Sequence, residues 1–134
     1  MQPQPQILSQ DHNGVQSVEF KDLCAFVWLN IDRELYPYSM GEIAAHLGQA
    51  IEDKLAYFCV DYAGKISTVI FGYERENKEA FVWMLVGRLP DLPLIWRQFR
   101  QARPDILKVS GWRFKHKVTF NVSYLDKKFK YYGW

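Results

Sequence analysis

The feature that most constrains the fold is an almost uninterrupted apolar run, AFVWMLV, at residues 80–86. The run has the length of a β-strand and is far shorter than the roughly 18 to 20 apolar residues that a membrane span requires. A strand that is apolar at both odd and even positions has both faces buried. The sequence therefore predicts that residues 80–86 form a central strand, and no membrane span is expected.

Two helices are predicted before this run. Apolar residues recur every three or four positions over residues 22–35, and Pro37 then enforces a break. Ser39 and Glu42 have the spacing of a capping box, which predicts that a second helix begins there. Residues 1–20 show little apolar periodicity, so they are expected to be a flexible tail or one short strand before a single domain at residues 21–134.

The remaining patterns are mostly those of strands. Two β-branched and aromatic runs joined at residues 63–65 predict a hairpin, and a third helix is predicted over residues 94–102. Residues 106–114 and 117–125 alternate as two closing strands, which leaves a polar aromatic tail at residues 126–134. The expected class is α+β, with a mostly antiparallel central sheet of about five to six strands flanked by three helices.

Composition and residue spacing exclude some classes of protein and some kinds of site. Hydrophobic residues make up 49% of the chain, which excludes a disordered protein. Cys24 and Cys59 lie in apolar contexts and no secretory signal precedes them, so a cytoplasmic location is expected. His12, His46 and His116 are far apart and lack the spacing of metal ligands, so no metal site is expected.

Charge divides unevenly along the chain. Residues 1–90 hold 7 Lys/Arg and 12 Asp/Glu, a net charge of −5, whereas residues 91–134 hold 10 Lys/Arg and 3 Asp/Glu, a net charge of +7. Such a split indicates either a surface for an anionic partner or mutual attraction of the two halves within one fold. Aromatic residues alternate with the basic residues of this region. They predict either core packing of alternate strand residues, with Trp112, Phe114, Phe120 and Tyr124 facing inward, or a surface that binds single-stranded nucleic acid weakly and without specificity. The candidate basic partner surface comprises Arg97, Arg100, Arg103, Lys115, Lys117, Lys127, Lys128 and Lys130.

The order of elements resembles the N-acetyltransferase (GNAT) fold, in which two helices, a meander and a third helix precede the last strands. At the residue level the chain is similar to the RTX toxin-activating lysine acyltransferases. The similarity lies in VWL at residues 27–29, in Pro37, in AFVWMLVGRLPD at residues 80–91 and in FRQARPDILKVSGW at residues 99–112. The resemblance implies an acyl carrier protein or acyl-CoA donor and transfer of a fatty acyl group to a protein lysine.

The catalytic residues of that family are not matched. Its His before the Pro that follows the first helix is replaced by Arg33 or Glu34, and its Asp on the central strand by Trp83 or a neighbour. Pro90 and Asp91 also stand where GNAT enzymes offer backbone N–H groups to pyrophosphate. The candidate ligand-cleft residues are Arg33, Glu34, Tyr36, Trp83, Gly87 and Arg88.

Two functions remain open from the sequence. The first is an acyltransferase-related domain that binds an acyl-type donor without the usual catalytic His and Asp. The second is a non-catalytic binding or assembly protein, of the type carried by phages and mobile elements, which uses its basic C-terminal third for a protein or nucleic-acid partner. A protein partner or a homo-oligomer is expected.

Overall fold

A computed structural model describes residues 6–11, 14–113 and 115–130. The strands are β1 (Gln6–Asp11), β2 (Gly14–Glu19), β3 (Ala56–Val60), β4 (Ile66–Arg75), β5 (Glu79–Gly87), β6 (Lys108–Arg113) and β7 (His116–Asn121). The helices are α1 (Phe20–Asn30), α2 (Met40–Glu52), α3 (Leu92–Ala102) and α4 (Val122–Lys130), and a 3₁₀ turn (Leu89–Asp91) precedes α3.

The main sheet has five strands in the order β3-β4-β5-β6-β7. Neighbouring strands are antiparallel except β5 and β6. These two run parallel because α3 carries the chain back to the end of the sheet at which β5 begins. The apolar run at residues 80–86 lies in β5, at the centre of this sheet, as the sequence predicts. The α+β class is confirmed, with a mixed five-stranded sheet.

Helices cover both faces of the sheet. On one face α1 and α2 bury Leu23, Val27, Ile43 and Leu47 against strand residues that include Phe71. On the other face a second cluster joins α3 and α4 to the sheet. Its buried members are Leu55, Ala80, Trp96, Phe99, Ile106 and Val122. Alternate residues of β4 and β5 point to opposite faces, so the apolar run of β5 contributes to both clusters.

The first helix ends earlier than predicted. It was expected to reach residue 35, but α1 ends at Asn30 and Ile31 is already extended. The Asp32 side chain accepts a hydrogen bond from the Glu34 N–H (3.0 Å), and the Asp32 carbonyl accepts one from the Tyr36 N–H (2.8 Å). An aspartate that forms such a turn competes with the helix, which explains the early end.

The C-terminal part contains a helix where the sequence predicts the end of a strand and a tail. The strand predicted over residues 117–125 ends at Asn121, and α4 follows, so the described chain has four α-helices and not three. Val122, Leu125 and Phe129 all pack in the second cluster, at the spacing of one helix face. Residues 131–134 of the predicted tail lie outside the described residues.

The N-terminal part differs in the number of strands. The sequence predicts a flexible tail or one short strand at residues 1–20, whereas β1 and β2 form an antiparallel pair in which Gln6 lies opposite Glu19. Residues 1–5, 12 and 13 lie outside the described residues.

Candidate functional site

An apolar cleft lies between the sheet and the layer formed by α3 and α4. Its volume is about 220 Å³. The strands contribute residues that include Ile70, Leu85 and Val109, and the helices contribute residues that include Ile95, Trp96 and Phe129. Every side chain that lines the cleft is apolar or aromatic. Such a cavity favours an apolar ligand, since an apolar cavity of about 150 Å³ already stays dry and admits benzene.

A β-bulge in the central strands shapes the floor of this cleft. Phe71 pairs with Met84 but the next residue, Gly72, pairs with Val82, so Trp83 is the extra residue of β5. Gly72 is required here, because a Cβ at this position would lie 1.8 Å from the carbonyl oxygen of Phe81. The bulge therefore depends on a close approach of two backbones that only glycine allows.

The two parallel strands separate at the same level. Their pairing ends with Val82 opposite Gly111, although β5 continues to Gly87 and β6 to Arg113. Beyond this point Leu85 lines the cleft and is 40% exposed, so it lies at the mouth. One exposed part of the cleft, at Leu85, thus lies where β5 is no longer paired with β6.

A half-buried carboxylate joins the two helices of the cleft wall. Asp126 in α4 accepts a hydrogen bond from Trp96 Nε1 (2.8 Å) and one from Arg100 Nε (3.1 Å), both in α3. Trp96 also stacks on Phe129, with 5.3 Å between the ring centroids. The hydrogen bond to Asp126 satisfies the indole N–H of Trp96, while the indole ring faces the cleft. These contacts hold α4 against α3 as one wall.

A second carboxylate lies at the beginning of α3. Asp91 Oδ2 accepts hydrogen bonds from Ser67 Oγ and Thr68 Oγ1, each at 2.7 Å, and the Arg88 N–H donates to Thr68 Oγ1 (2.8 Å). The segment that follows β5 is therefore tied to β4. Because Asp91 places its own negative charge at the N-terminus of α3, a phosphate group would be repelled there.

The six predicted ligand-cleft residues lie elsewhere. Arg33 is in the turn after α1, where its guanidinium carbon lies 4.2 Å from the centroid of the Trp28 ring. Trp83 packs on the α1–α2 face between Tyr38 (4.7 Å between centroids) and His46 (4.2 Å). None of the residues Arg33, Glu34, Tyr36, Trp83, Gly87 and Arg88 lines the apolar cleft. That they bind a ligand stays a prediction.

Gly87 is the last residue of β5, and Arg88 follows it before the 3₁₀ turn. Gly87 has a φ of +128°, and a Cβ on it would lie 2.2 Å from the carbonyl oxygen of Ser67. Glycine is therefore needed at this position for two reasons, the backbone conformation and the close approach to β4.

Several of the predicted basic-surface residues are engaged within the chain. Arg103 is 13% exposed; its Nη1 donates to the carbonyl oxygen of Asp53 (2.7 Å) and its Nε to Asp105 (3.0 Å). Its Nη2 also pairs with Glu74. The hydrogen bond with Asp105 raises the pKa of Arg103, and the same bond lowers the pKa of Asp105 to about 2. Arg103 therefore does not lie on an open partner surface, contrary to the prediction from the sequence.

Lys117 is also paired. Its Nζ lies 2.9 Å from Glu79 Oε2, which accepts a further hydrogen bond from Ser110 Oγ (2.7 Å). These bonds lower the pKa of Glu79. Of the predicted surface, four lysines are exposed and form no ion pair with a described residue: Lys115, Lys127, Lys128 and Lys130.

The cleft itself was not predicted from the sequence. Two of its lining residues, Leu125 and Phe129, belong to α4, where the sequence predicts the end of a strand and a tail. The four-residue spacing between them was the available signal. Across the described residues, no helix is long and apolar enough to cross a membrane, and no three His, Cys, Asp or Glu side chains are grouped to hold a metal ion.

Comparison with known proteins finds no relative of this chain. The chain matches no family model, no curated protein and no solved structure.

Proposed function

We propose that this protein is a GNAT-like, acyltransferase-related domain that binds the acyl chain of an acyl-type ligand in the apolar cleft. One observation carries the proposal: a cleft lined only by apolar and aromatic side chains reaches Leu85, beyond the point where the pairing of β5 with β6 ends. In GNAT-like folds, splayed central strands hold a linear acyl-pantetheine chain. The order of two helices, a meander, a helix and a parallel return strand supports the same relationship.

The binding energy comes from burial of the apolar chain. Ile70, Ile95 and Trp96 present hydrocarbon surface to the ligand, and removal of apolar area from water contributes roughly 25 cal/mol per Å². The hydroxyl of Tyr57, which lines the cleft, donates a hydrogen bond to the Lys54 carbonyl. Burial raises the pKa of Tyr57 above its usual value. The hydroxyl remains protonated and directed at the backbone, so the cleft selects by shape and not by charge.

The experiment measures binding of saturated fatty acids and of the matching acyl-CoA esters by calorimetry. Leu85→Trp fills the mouth and is expected to weaken binding by at least about tenfold, equivalent to about 1.4 kcal/mol of lost contact. Leu29→Trp is the matched control, because Leu29 is 73% exposed on α1 and outside the cleft. Failure of every acyl compound to bind, or equal weakening by both variants, overturns the proposal.

Transfer is tested separately from binding. The protein is incubated with acyl-CoA or acyl carrier protein donors and a lysine-containing candidate substrate, and the substrate is examined by mass spectrometry. Since the His and Asp of the similar acyltransferases have no counterpart here, we expect binding without a mass increase. An acylated substrate would refute that expectation and show that other residues supply the chemistry.

A further inference from the structure

The outer surface of β7 and α4 carries two exposed aromatic rings beside two exposed lysines. Phe120 is 40% exposed and Tyr124 is 51% exposed, so the expectation that they face the core is wrong. Their rings are stacked, with centroids 5.9 Å apart and planes inclined by 11°. Lys127 and Lys128 are exposed one helical turn beyond Tyr124. We refer to these four residues as the aromatic–lysine surface.

Helix geometry shows that this surface is not part of the core. Tyr124, Lys127 and Lys128 stand at positions i, i+3 and i+4 of α4, so they share one face. The opposite face packs against the second cluster through Val122 and Phe129. Tyr124 and the two lysines are therefore directed at solvent. Packing of the core gives no reason for an aromatic ring at position 124.

The charge of this surface is uncompensated among the described residues. The single carboxylate within α4, Asp126, is engaged by Trp96 and Arg100 on the buried side. Lys127 and Lys128 form no ion pair with a described residue. Lysines at a helix C-terminus stabilise the helix dipole, but that role requires no neighbouring aromatic pair.

We propose that the aromatic–lysine surface binds single-stranded nucleic acid. Unpaired bases stack on Phe120 and Tyr124 while phosphates lie beside Lys127 and Lys128, the combination by which single strands are held without sequence preference. A duplex is a poorer ligand, because its bases are already stacked on one another. This surface is distinct from the acyl cleft and does not depend on the function proposed for it.

The test is a fluorescence-anisotropy titration with labelled oligothymidylate and oligouridylate, and with a duplex of equal length. We expect weak binding, with dissociation constants above about 1 µM at physiological salt, and a preference for either single strand over the duplex. Tyr124→Ala should weaken binding by about 5- to 150-fold, the range measured for loss of one stacked base, and Tyr124→Phe should restore it.

The contribution of the lysines is measured separately, from the salt dependence of binding. The Lys127→Ala/Lys128→Ala variant should lower the slope of log affinity against log salt by about 1.4, which corresponds to two phosphates on a single strand. A structural role at the helix terminus would change thermal stability without changing that slope. Tyr62→Ala/Lys65→Ala is the matched control, since it removes an exposed aromatic and an exposed lysine at the β3–β4 turn.

Three outcomes overturn the proposal. They are equal affinity for duplex and single strand, a loss of affinity in Tyr62→Ala/Lys65→Ala as large as that in Tyr124→Ala, and binding to anionic phospholipid vesicles with none to either oligonucleotide. The last result would assign the surface to a membrane.

Discussion

Removal of the Arg103 side chain tests how much of the fold depends on one cation. The guanidinium joins three segments that are distant along the chain. It donates to the Asp53 carbonyl after α2, and it pairs with Asp105 in the segment after α3. It also pairs with Glu74 at the end of β4. Arg103→Ala therefore detaches these segments from one another at once.

The size of the effect follows from burial. The Arg103 side chain is 13% exposed, and its bond to the Asp53 carbonyl involves a charged donor, which contributes about 1.5 to 3 kcal/mol. The carboxylates of Asp105 and Glu74 are 41% and 35% exposed, so each ion pair adds about 1 kcal/mol or less. We expect Arg103→Ala to reduce the free energy of unfolding by about 2 to 4 kcal/mol, a large share of the roughly 5 to 15 kcal/mol typical of a domain.

The assay is urea unfolding at pH 7, followed by circular dichroism. The midpoint should fall while the slope m stays unchanged, because the surface exposed on unfolding is the same. Arg33→Ala is the control, since Arg33 is exposed and stacks on Trp28, a contact that contributes about 0.5 to 1 kcal/mol. If Arg103→Ala changes the free energy of unfolding no more than Arg33→Ala does, the reasoning from burial is wrong.

Two further predictions concern acid stability and backbone packing. Because the bond with Arg103 lowers the pKa of Asp105 from 3.8 to about 2, ionised Asp105 stabilises the fold above about pH 4, and this contribution is lost as the pH falls toward 2. Thermal melting should therefore show Asp105→Asn less stable than the wild type at pH 7, with the difference shrinking below about pH 3; a constant difference would contradict this. Gly72→Ala should lower the free energy of unfolding by more than about 2 kcal/mol or prevent folding, because the added Cβ would lie 1.8 Å from the Phe81 carbonyl oxygen. Gly111→Ala is the control. Its Cβ would have its nearest neighbours at 3.6 Å, so the free energy of unfolding should change by less than about 1 kcal/mol. Equal melting temperatures for the two glycine variants would refute the assigned bulge.

Features that depend on neighbouring residues could be read from the sequence. The capping box is present as predicted: the Glu42 N–H donates to Ser39 Oγ (3.1 Å) and the Ser39 N–H donates to Glu42 Oε1 (3.2 Å). The central strand was predicted from its apolar run alone. In both cases the information lies within a few residues, because the capping bonds and the burial of successive side chains are local.

Where two local patterns coincide, packing decides between them. Val118, Phe120, Val122 and Tyr124 alternate as in a strand, which is why one strand was predicted over residues 117–125. Val122, Leu125 and Phe129 also fit a helix face, and the chain turns into α4 because that face buries against Trp96 of α3. Tertiary contacts override weak local preference in such a segment.

Residue patterns along the chain are enough to predict helices packed on a sheet, the position of the central strand and an excess of positive charge in the last third of the chain. Which of those charges are paired within the chain depends on tertiary packing, because Arg103 meets Glu74, and Lys117 meets Glu79, across segments far apart in the chain. Tertiary packing also decides where the cleft lies, since the cleft requires β5 to part from β6 and α4 to dock on α3. Residue spacing reports which face of an element is apolar, but a cleft and an ion pair are formed between elements, and their positions follow from how those elements pack.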